Sequence, residues 1–240
     1  MNVFRMLIVA GVCGVGVWPG VGSLPGEEKP TGLAKWEAEI QKFEAADQKT
    51  APVPGGVVFY GSSSARMWDL KSSFPNLQTV NRGFGGSDMS AAAHFYERVV
   101  PQHQPRVVVL YEGDNDLAGG RKSEQILADF ETLITKHRAA LPLTKLVCLS
   151  IKYSPSRAKL RLNQEKANAL LQDRCTRDPQ LLYLDLASTL LDDQGQPQPK
   201  FFKPDMLHLN PEGYATWNAK LLPVLEEALK PTSTTPAAKP

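Results

Sequence analysis

The chain has 240 residues and a formal net charge of +2, and its lysine and arginine residues are scattered along the sequence. This distribution excludes the basic patch or stripe that is typical of nucleic-acid-binding domains. Hydrophobic residues make up 42% of the chain and charged residues 22%. These are the proportions of an ordinary globular protein, and the length suffices for one α/β domain with a sizeable core.

The first residues have the composition of a secretory signal peptide. Arg5 precedes an uncharged apolar stretch at 6–18, small residues follow at 21–23, and a charged segment comes at 27–29. We therefore predict a signal peptide over residues 1–23 and a secreted or periplasmic protein. The stretch is short and glycine-rich for a membrane span, so we expect no stable span in the mature form, and an uncleaved membrane anchor is the alternative.

Two further features delimit the mature domain, which we expect to cover residues 24–230. Residues 231–240 are proline, threonine, serine and alanine with one lysine. Such a segment buries little apolar surface, so a disordered tail is predicted. The mature domain contains Cys148 and Cys175, which are too few for a disulfide framework, and the sequence leaves open whether they pair.

Short apolar segments that alternate with helical patterns indicate the fold class. The predicted strands cover residues 57–60, 77–80, 107–111, 146–151 and 181–184, and the predicted helices cover 33–46, 124–141, 158–175 and 211–229. Residues 107–110 are continuously apolar, as expected for a strand that is covered on both faces. Ser123 is the predicted N-cap of the helix that follows it. The alternation predicts an α/β fold with a parallel sheet and helices on both faces.

In such a sheet, ligands bind beyond the carboxyl ends of the strands. Polar or glycine-rich turns follow the first three predicted strands, and a fourth polar turn precedes the last predicted helix. They are residues 61–64 (GSSS), 81–88 (NRGFGGSD), 111–116 (YEGDND) and 205–208 (DMLH). The chemistry of the protein is therefore expected in these turns.

Each turn has an ordinary structural interpretation when it is taken alone. A serine-rich turn is often a helix cap, a glycine-rich turn often leads into a helix, and acidic residues are common turn-formers. Asp114 and Asp116 resemble metal ligands only superficially, because the rest of an EF-hand pattern is missing. Together, however, the turns contain a serine, backbone N–H groups beside glycines, an asparagine amide and an Asp205/His208 pair. A carboxylate can fix the tautomer of a histidine that acts as a base.

These turns resemble, in their order and content, the sequence blocks of the SGNH (GDSL-like) hydrolase superfamily. The matching residues are Gly61-Ser62-Ser63, Gly86, Gly113-Asp114-Asn115 and Asp205-Met206-Leu207-His208. The resemblance implies a three-layer α/β/α sandwich with a five-stranded parallel sheet and a flavodoxin-like layout. It also implies that residues 24–230 form an SGNH hydrolase-type esterase domain.

The resemblance assigns catalytic roles to three residues. Ser63 matches the nucleophile, His208 the general base and Asp205 the carboxylate that orients the base. The first block has Ser62 where the family has an aspartate, so Ser62 and Ser64 remain alternatives to Ser63.

The same resemblance implies an oxyanion hole. Its members are the backbone N–H groups of Ser63 and Gly86 and the side-chain amide of Asn115, with Gly85 as the alternative to Gly86. Other side chains that flank the turns are candidates for shaping a substrate pocket: Arg66, Trp68, Arg82, Phe84 and Arg121. Trp68 and Phe84 are equally well interpreted as core residues.

The implied function is hydrolysis of carboxylic esters through an acyl-enzyme on Ser63, with acetyl esters of sugars or small acyl esters as substrates. No metal ion or other cofactor is expected, and no nucleic-acid partner. The alternatives are a non-catalytic module that binds a glycan or acyl group on the same fold, and an acyltransferase. The acyl group, the alcohol and the oligomeric state are not readable from the sequence.

Overall fold

The computed structural model describes residues 32–230, so the predicted signal peptide and tail lie outside the described residues. Five parallel strands form one sheet in the order β2-β1-β3-β4-β5. They are β1 (Val57–Gly61), β2 (Thr79–Gly83), β3 (Val107–Tyr111), β4 (Lys145–Leu149) and β5 (Leu181–Leu184). The predicted five-stranded parallel sheet is confirmed.

Helices connect the strands. They are α1 (Ala34–Lys49), α2 (Ser63–Arg66), α3 (Leu70–Ser73), α4 (Met89–Val99), α5 (Asp114–Ala118), α6 (Ser123–Ala140), α7 (Arg161–Thr176) and α8 (Pro211–Ala228). A 3₁₀ segment at Pro155–Leu160 precedes α7. Pro211 occupies the first turn of α8, where its missing N–H removes no helical hydrogen bond.

Alternate side chains of each strand belong to different layers of the core. In β1, Val58 and Tyr60 pack with residues of α1, α4, α6 and α7, whereas Val57 and Phe59 pack with residues of α3 and α8. All four side chains are at most 1% exposed, and burying each such side chain stabilises the fold by roughly 1.5–3 kcal/mol. Because both faces of the sheet are covered, the predicted α/β/α sandwich is confirmed.

The predicted bounds of β2 were wrong. The strand begins at Thr79 rather than Leu77 and continues through Asn81 to Gly83, a stretch that was interpreted as a turn. β2 is an edge strand with β1 as its one neighbour in the sheet, so polar residues are tolerated in it. The Asn81 side chain donates a hydrogen bond to the carbonyl of Ala65 at 2.8 Å.

Two helix starts also differ from the sequence-based expectation. Ser123 is the first residue of α6 rather than its N-cap, and its hydroxyl donates to the carbonyl of Asn163 at 3.1 Å. Helix α4 was not predicted as an element. Asp88 caps it by accepting a hydrogen bond from the N–H of Ala91 at 2.8 Å, so the glycine-rich turn at 84–87 leads directly into a helix.

The sheet order determines where a site can form. The chain leaves β1 for the edge strand β2 and then crosses to β3 on the other side of β1. The loops after β1 and β3 therefore diverge at the carboxyl edge of the sheet and leave a crevice at this topological switch point. Two of the predicted turns, 61–64 and 111–116, lie at this crevice.

Two points left open by the sequence concern the cysteines and the membrane. Cys148 in β4 and Cys175 in α7 are both buried and are free thiols. Between residues 32 and 230, no helix combines the length and the hydrophobicity that crossing a membrane requires.

Candidate active site

Ser63 lies at the turn from β1 into α2. Gly61, two residues earlier, has φ +124°, and a Cβ atom there would lie 2.1 Å from the carbonyl oxygen of Tyr111. A glycine is therefore required for the chain to leave the strand in this direction. Ser62 and Ser64 are buried, at 2% and 1% exposure, whereas Ser63 lines a cleft. Of the three neighbouring serines, Ser63 is thus the one whose hydroxyl faces an open site.

The turn at 205–208 brings a histidine to this serine. The Nε2 atom of His208 lies 3.0 Å from the Oγ atom of Ser63. The Nδ1 atom of His208 lies 2.7 Å from the Oδ2 atom of Asp205. An ionised carboxylate accepts only, so Nδ1 carries the proton of a neutral imidazole and Nε2 is left to accept the Ser63 hydroxyl proton.

Asp205 is held in place by its own turn. Its Oδ1 atom accepts hydrogen bonds from the backbone N–H groups of Leu207 and His208, both at 2.9 Å. Met206 has φ +53°, a left-handed conformation that is uncommon for a residue other than glycine and closes the turn. The hydrogen bonds from the His208 side chain and from the backbone hold the pKa of Asp205 well below its usual range. The carboxylate therefore stays ionised and can orient the imidazole.

Three candidate donor residues, Ser63, Gly86 and Asn115, line the same cleft. Within residues 32–230, neither Ser63 nor Gly86 donates its backbone N–H to another backbone carbonyl. Gly86 has φ +73°, a left-handed conformation that suits glycine. The Nδ2 atom of Asn115 donates to the carbonyl of Ser87 at 2.8 Å. An amide carries two N–H groups, so a second one is available to the cleft, which Asn115 lines.

The cleft around these groups has a volume of about 430 Å³. Helix α1 forms one wall, where the Nε1 atom of Trp36 donates to the carbonyl of Gly85 at 3.1 Å and Lys35 lies 3.9 Å from the centre of the Trp36 ring. The residues that line the cleft are Lys35, Trp36, Glu39, Ser63, Arg66, Gly85, Gly86, Asn115, Leu207 and His208. The contribution of α1 was not foreseen, because no local pattern shows which tertiary neighbour a helix covers.

Of the other candidates for pocket shaping, only Arg66 lines this cleft. Trp68 and Phe84 are 3% and 0% exposed and belong to the two core layers. Arg82 forms an ion pair with Asp47. The guanidinium groups and aromatic rings near the turns are thus mostly structural.

The acidic residues of the third turn are held by protein groups. Asp114 contacts Lys152 and Arg157, each at 2.7 Å. Asp116 accepts a hydrogen bond from the N–H of Met89 at 3.0 Å and pairs with Arg121 at 2.9 Å. These contacts agree with the interpretation of both aspartates as structural residues.

Glu112 directly follows the last residue of β3, in the turn that also contains Asn115. It is 1% exposed and accepts a hydrogen bond from the hydroxyl of Ser87. Burial, and then the nearby charge of Asp116, raise the pKa of Glu112 well above its usual value. A carboxyl group with a raised pKa in the folded state favours folding when it is protonated and opposes it when it must ionise.

We expect the wild type to lose stability relative to Glu112→Gln as the pH rises. Below the pKa of the unfolded chain, about 4.3, both states bind the proton and ionisation has no effect. Above it, the unfolded state releases its proton first, so wild-type stability falls relative to the variant by up to about 1.4 kcal/mol per pH unit, until the folded-state pKa is reached. Urea unfolding at pH 5, 6, 7 and 8 measures this slope. The exposed Glu212→Gln is the control, and an equal slope for the two variants would contradict the assignment.

A three-layer α/β/α fold with Ser63, His208 and Asp205 aligned at the carboxyl edge of its sheet has the architecture of a serine hydrolase. The profile of the GDSL-like Lipase/Acylhydrolase family matches residues 54–216, more than half of the chain. The chain belongs to this family, and the resemblance in its sequence blocks is confirmed. Membership supports hydrolase activity.

Several solved structures have the same fold. A protein from Bacteroides fragilis NCTC 9343 that is assigned as an acylhydrolase is 18% identical, with a TM-score of 0.71 over 81% of this chain and 99% of that chain. A GDSL-like lipase from Bacteroides thetaiotaomicron VPI-5482 is 18% identical, with a TM-score of 0.67 over 80% of this chain and 98% of that chain.

A carbohydrate esterase of family 3 from Talaromyces cellulolyticus is more distant. It is 17% identical, with a TM-score of 0.59 over 75% of this chain and 100% of that chain. A comparison with curated proteins found no match in sequence. At these identities, the structural likeness concerns the fold.

Proposed function

We propose that the protein hydrolyses small acyl esters through an acyl-enzyme on Ser63. The observation that carries this proposal is the continuous hydrogen-bonded series from the Ser63 hydroxyl through His208 to Asp205, with distances of 3.0 and 2.7 Å. This is the arrangement in which a neutral imidazole can take a hydroxyl proton while a carboxylate stabilises the imidazolium that forms.

In the first half of the reaction, the Oγ atom of Ser63 forms a bond to the ester carbonyl carbon as its proton moves to Nε2 of His208. The carbonyl π electrons move to the oxygen and give a tetrahedral oxyanion. When the oxyanion collapses, the bond to the alcohol oxygen breaks and His208 returns the proton to that oxygen. In the second half, water replaces the alcohol in reverse order, so the acid is released and Ser63 regains its proton.

The oxyanion is proposed to lie against the N–H groups of Ser63 and Gly86 and the amide of Asn115. Preorganised donors at this point stabilise charge that develops only in the transition state. All three lie around one cleft with the Ser63 hydroxyl. The site therefore contains a nucleophile, a base, an orienting carboxylate and donors for the oxyanion.

Removing the Asn115 amide should lower turnover rather than substrate binding. For Asn115→Ala we expect kcat to fall about 10²- to 10³-fold, with KM changed by no more than a few-fold, because the lost hydrogen bond strengthens in the transition state. Steady-state hydrolysis of 4-nitrophenyl acetate measures both constants. Asn163→Ala, an exposed asparagine in α7, is the matched control, and an effect confined to KM would contradict the oxyanion role.

The cleft favours a short acyl group. Its lining includes the charged side chains of Lys35, Glu39 and Arg66, and its large apolar side chains are those of Trp36 and Leu207. A long acyl chain would cover these charged side chains, which would lose their water without gaining new hydrogen-bond partners. Sugar acetyl esters are candidate substrates for two reasons. One of the structures with the same fold is named as a carbohydrate esterase, and this chain is predicted to be exported.

Labelling with a serine-directed fluorophosphonate tests the proposal against a purely binding module. Only an activated serine displaces the fluoride, so the wild type should be labelled at Ser63 and Ser63→Ala should not. Hydrolysis of nitrophenyl acetate, butyrate and octanoate in parallel should show the highest kcat/KM for acetate. A folded wild-type protein that neither reacts with the probe nor hydrolyses any of the esters would refute the proposal.

A further inference from the structure

One loop contacts both halves of the proposed site. This loop, between β4 and α7, donates the backbone N–H of Ser156 to the carbonyl of Met206 at 3.0 Å, which is in the turn of His208. The next residue, Arg157, extends its side chain to the turn after β3. Its Nη2 atom donates to the Oδ1 atom of Asn115 at 2.9 Å. Arg157 is therefore in direct contact with a proposed oxyanion donor.

The other end of the guanidinium is fixed by Asp114. The Nη1 atom of Arg157 donates to the backbone carbonyl of Asp114 at 2.6 Å and lies 2.7 Å from its Oδ1 atom. The Oδ2 atom of Asp114 accepts a hydrogen bond from Nζ of Lys152 at 2.7 Å. The planar guanidinium is thus held at Nη1 by Asp114 and at Nη2 by Asn115, and it has little freedom to rotate.

This group of charges is removed from solvent. The side chains of Arg157, Asp114 and Lys152 are 15%, 4% and 2% exposed. Burial tends to raise the pKa of Asp114, but the charges of Lys152 and Arg157 outweigh it and hold the pKa below its ordinary value. The carboxylate is therefore ionised and faces two cations, which leaves an excess positive charge behind Asn115.

The contact also determines which way the Asn115 amide faces. A guanidinium has donors and no acceptor. Only Oδ1 can therefore face Arg157, and Nδ2 must face the opposite side, where it donates to Ser87 and borders the cleft. An amide rotated by 180° would place a donor against a donor and turn its oxygen toward the developing oxyanion.

We propose that Arg157 is a positioning residue that fixes the Asn115 amide with its N–H toward the oxyanion site. This inference rests on the proposed function, because an oxyanion donor has a role only in acyl transfer. Arg157 acts through Asn115, so removing Arg157 should lower turnover by part of the amount that the Asn115 amide contributes. The excess positive charge also polarises the amide and makes its N–H a stronger donor.

The test compares Arg157→Met with Arg161→Met. Arg161 lies four residues further on, pairs with Glu165 at 2.6 Å and covers the ring of Tyr153 at 3.5 Å. It is therefore a matched arginine without a contact to the site. For Arg157→Met we expect kcat to fall roughly 10- to 100-fold at nearly constant KM. This loss is smaller than the one expected for Asn115→Ala, which removes the donor itself. Arg161→Met should keep wild-type kcat.

The double variant Arg157→Met/Asn115→Ala separates positioning from a general structural effect. If Arg157 acts through the amide, the double variant should be no slower than Asn115→Ala alone. If the two losses multiply, Arg157 has another role and the inference is overturned. In Arg157→Ala, added guanidinium chloride at low millimolar concentration should restore part of kcat. The same addition should leave the kcat of Arg161→Ala and of Asn115→Ala unchanged.

Arg157→Lys keeps the inference testable if the methionine variant does not fold. A lysine has no fork with which to bridge Asp114 and Asn115, so a loss confined to kcat is expected. Full wild-type kcat in folded Arg157→Lys would overturn the inference. Failure of the proposed function is a separate result, since the wild type would then show no Ser63-dependent labelling or hydrolysis.

Discussion

Replacing Ser63 with alanine should lower the kcat for 4-nitrophenyl acetate by at least about 10³-fold, because the variant has no atom to form the acyl-enzyme. The residual rate would come from the oxyanion donors and from substrate binding, which remain. The side chain is small and lines a cleft, so the variant should fold like the wild type. Hydrolysis rates, with circular dichroism to confirm folding, measure this outcome.

Ser62→Ala and Ser64→Ala are the matched controls for this experiment. Both serines neighbour Ser63 in sequence, but they are buried, and the carbonyl of Ser64 accepts a hydrogen bond from the hydroxyl of Tyr214 at 2.8 Å. We expect these variants to keep most of the activity per folded molecule. Near-wild-type hydrolysis by Ser63→Ala, or loss of labelling only in one of the neighbours, would reassign the nucleophile.

Replacing His208 with alanine should reduce kcat by a similar amount, about 10³-fold or more. Its Nε2 atom lies 3.0 Å from the Ser63 hydroxyl, and without this proposed base the hydroxyl keeps its proton. The variant should also lose its reaction with fluorophosphonate, since that reaction needs the same activated oxygen. Single-turnover kinetics with the ester and probe labelling rates measure the two effects.

His94→Ala is a suitable control, because His94 is exposed on α4 and contacts Phe95 edge to face, with ring centroids 4.6 Å apart. It should hydrolyse acetate esters as the wild type does. If His208→Ala kept a labelling rate near that of the wild type, the activation of Ser63 would have to come from another group, and the proposed mechanism would fail.

Much of the fold was predictable because its signals are local. The buried strand β3 was predicted with its observed bounds, since four consecutive apolar residues are typical of a strand covered on both faces. The edge strand β2 was predicted to begin two residues too early and to end three residues too early, because its C-terminal part, Asn81 to Gly83, is not apolar. Those polar groups are satisfied by tertiary neighbours such as Ala65, and such contacts leave no signal in the sequence.

The same distinction applies to the site. Ser63, Gly86, Asn115, Asp205 and His208 stand in turns whose short motifs can be recognised one by one. In the structure, all of them except Asp205 line one cleft, and Asp205 is hydrogen-bonded to His208. The roles assigned to them remain predictions that the variants above test. The sequence did not predict the part of the site that comes from distant segments of the chain. Trp36 and Arg157 belong to segments with no motif, and their contacts depend on how α1 and the β4–α7 loop pack.

The sequence by itself determined the class of the fold, the five strands and four of the helices in chain order, and the identity of the polar turns. Hydrophobic periodicity and turn chemistry depend on residues close together in the chain, so one sequence suffices to read them. The tertiary structure decided which serine faces the histidine, which way the Asn115 amide points, and which side chains line the cleft. Ser63 and His208 are 145 residues apart, and the 3.0 Å between them depends on the order of the sheet, which brings separate turns to one edge.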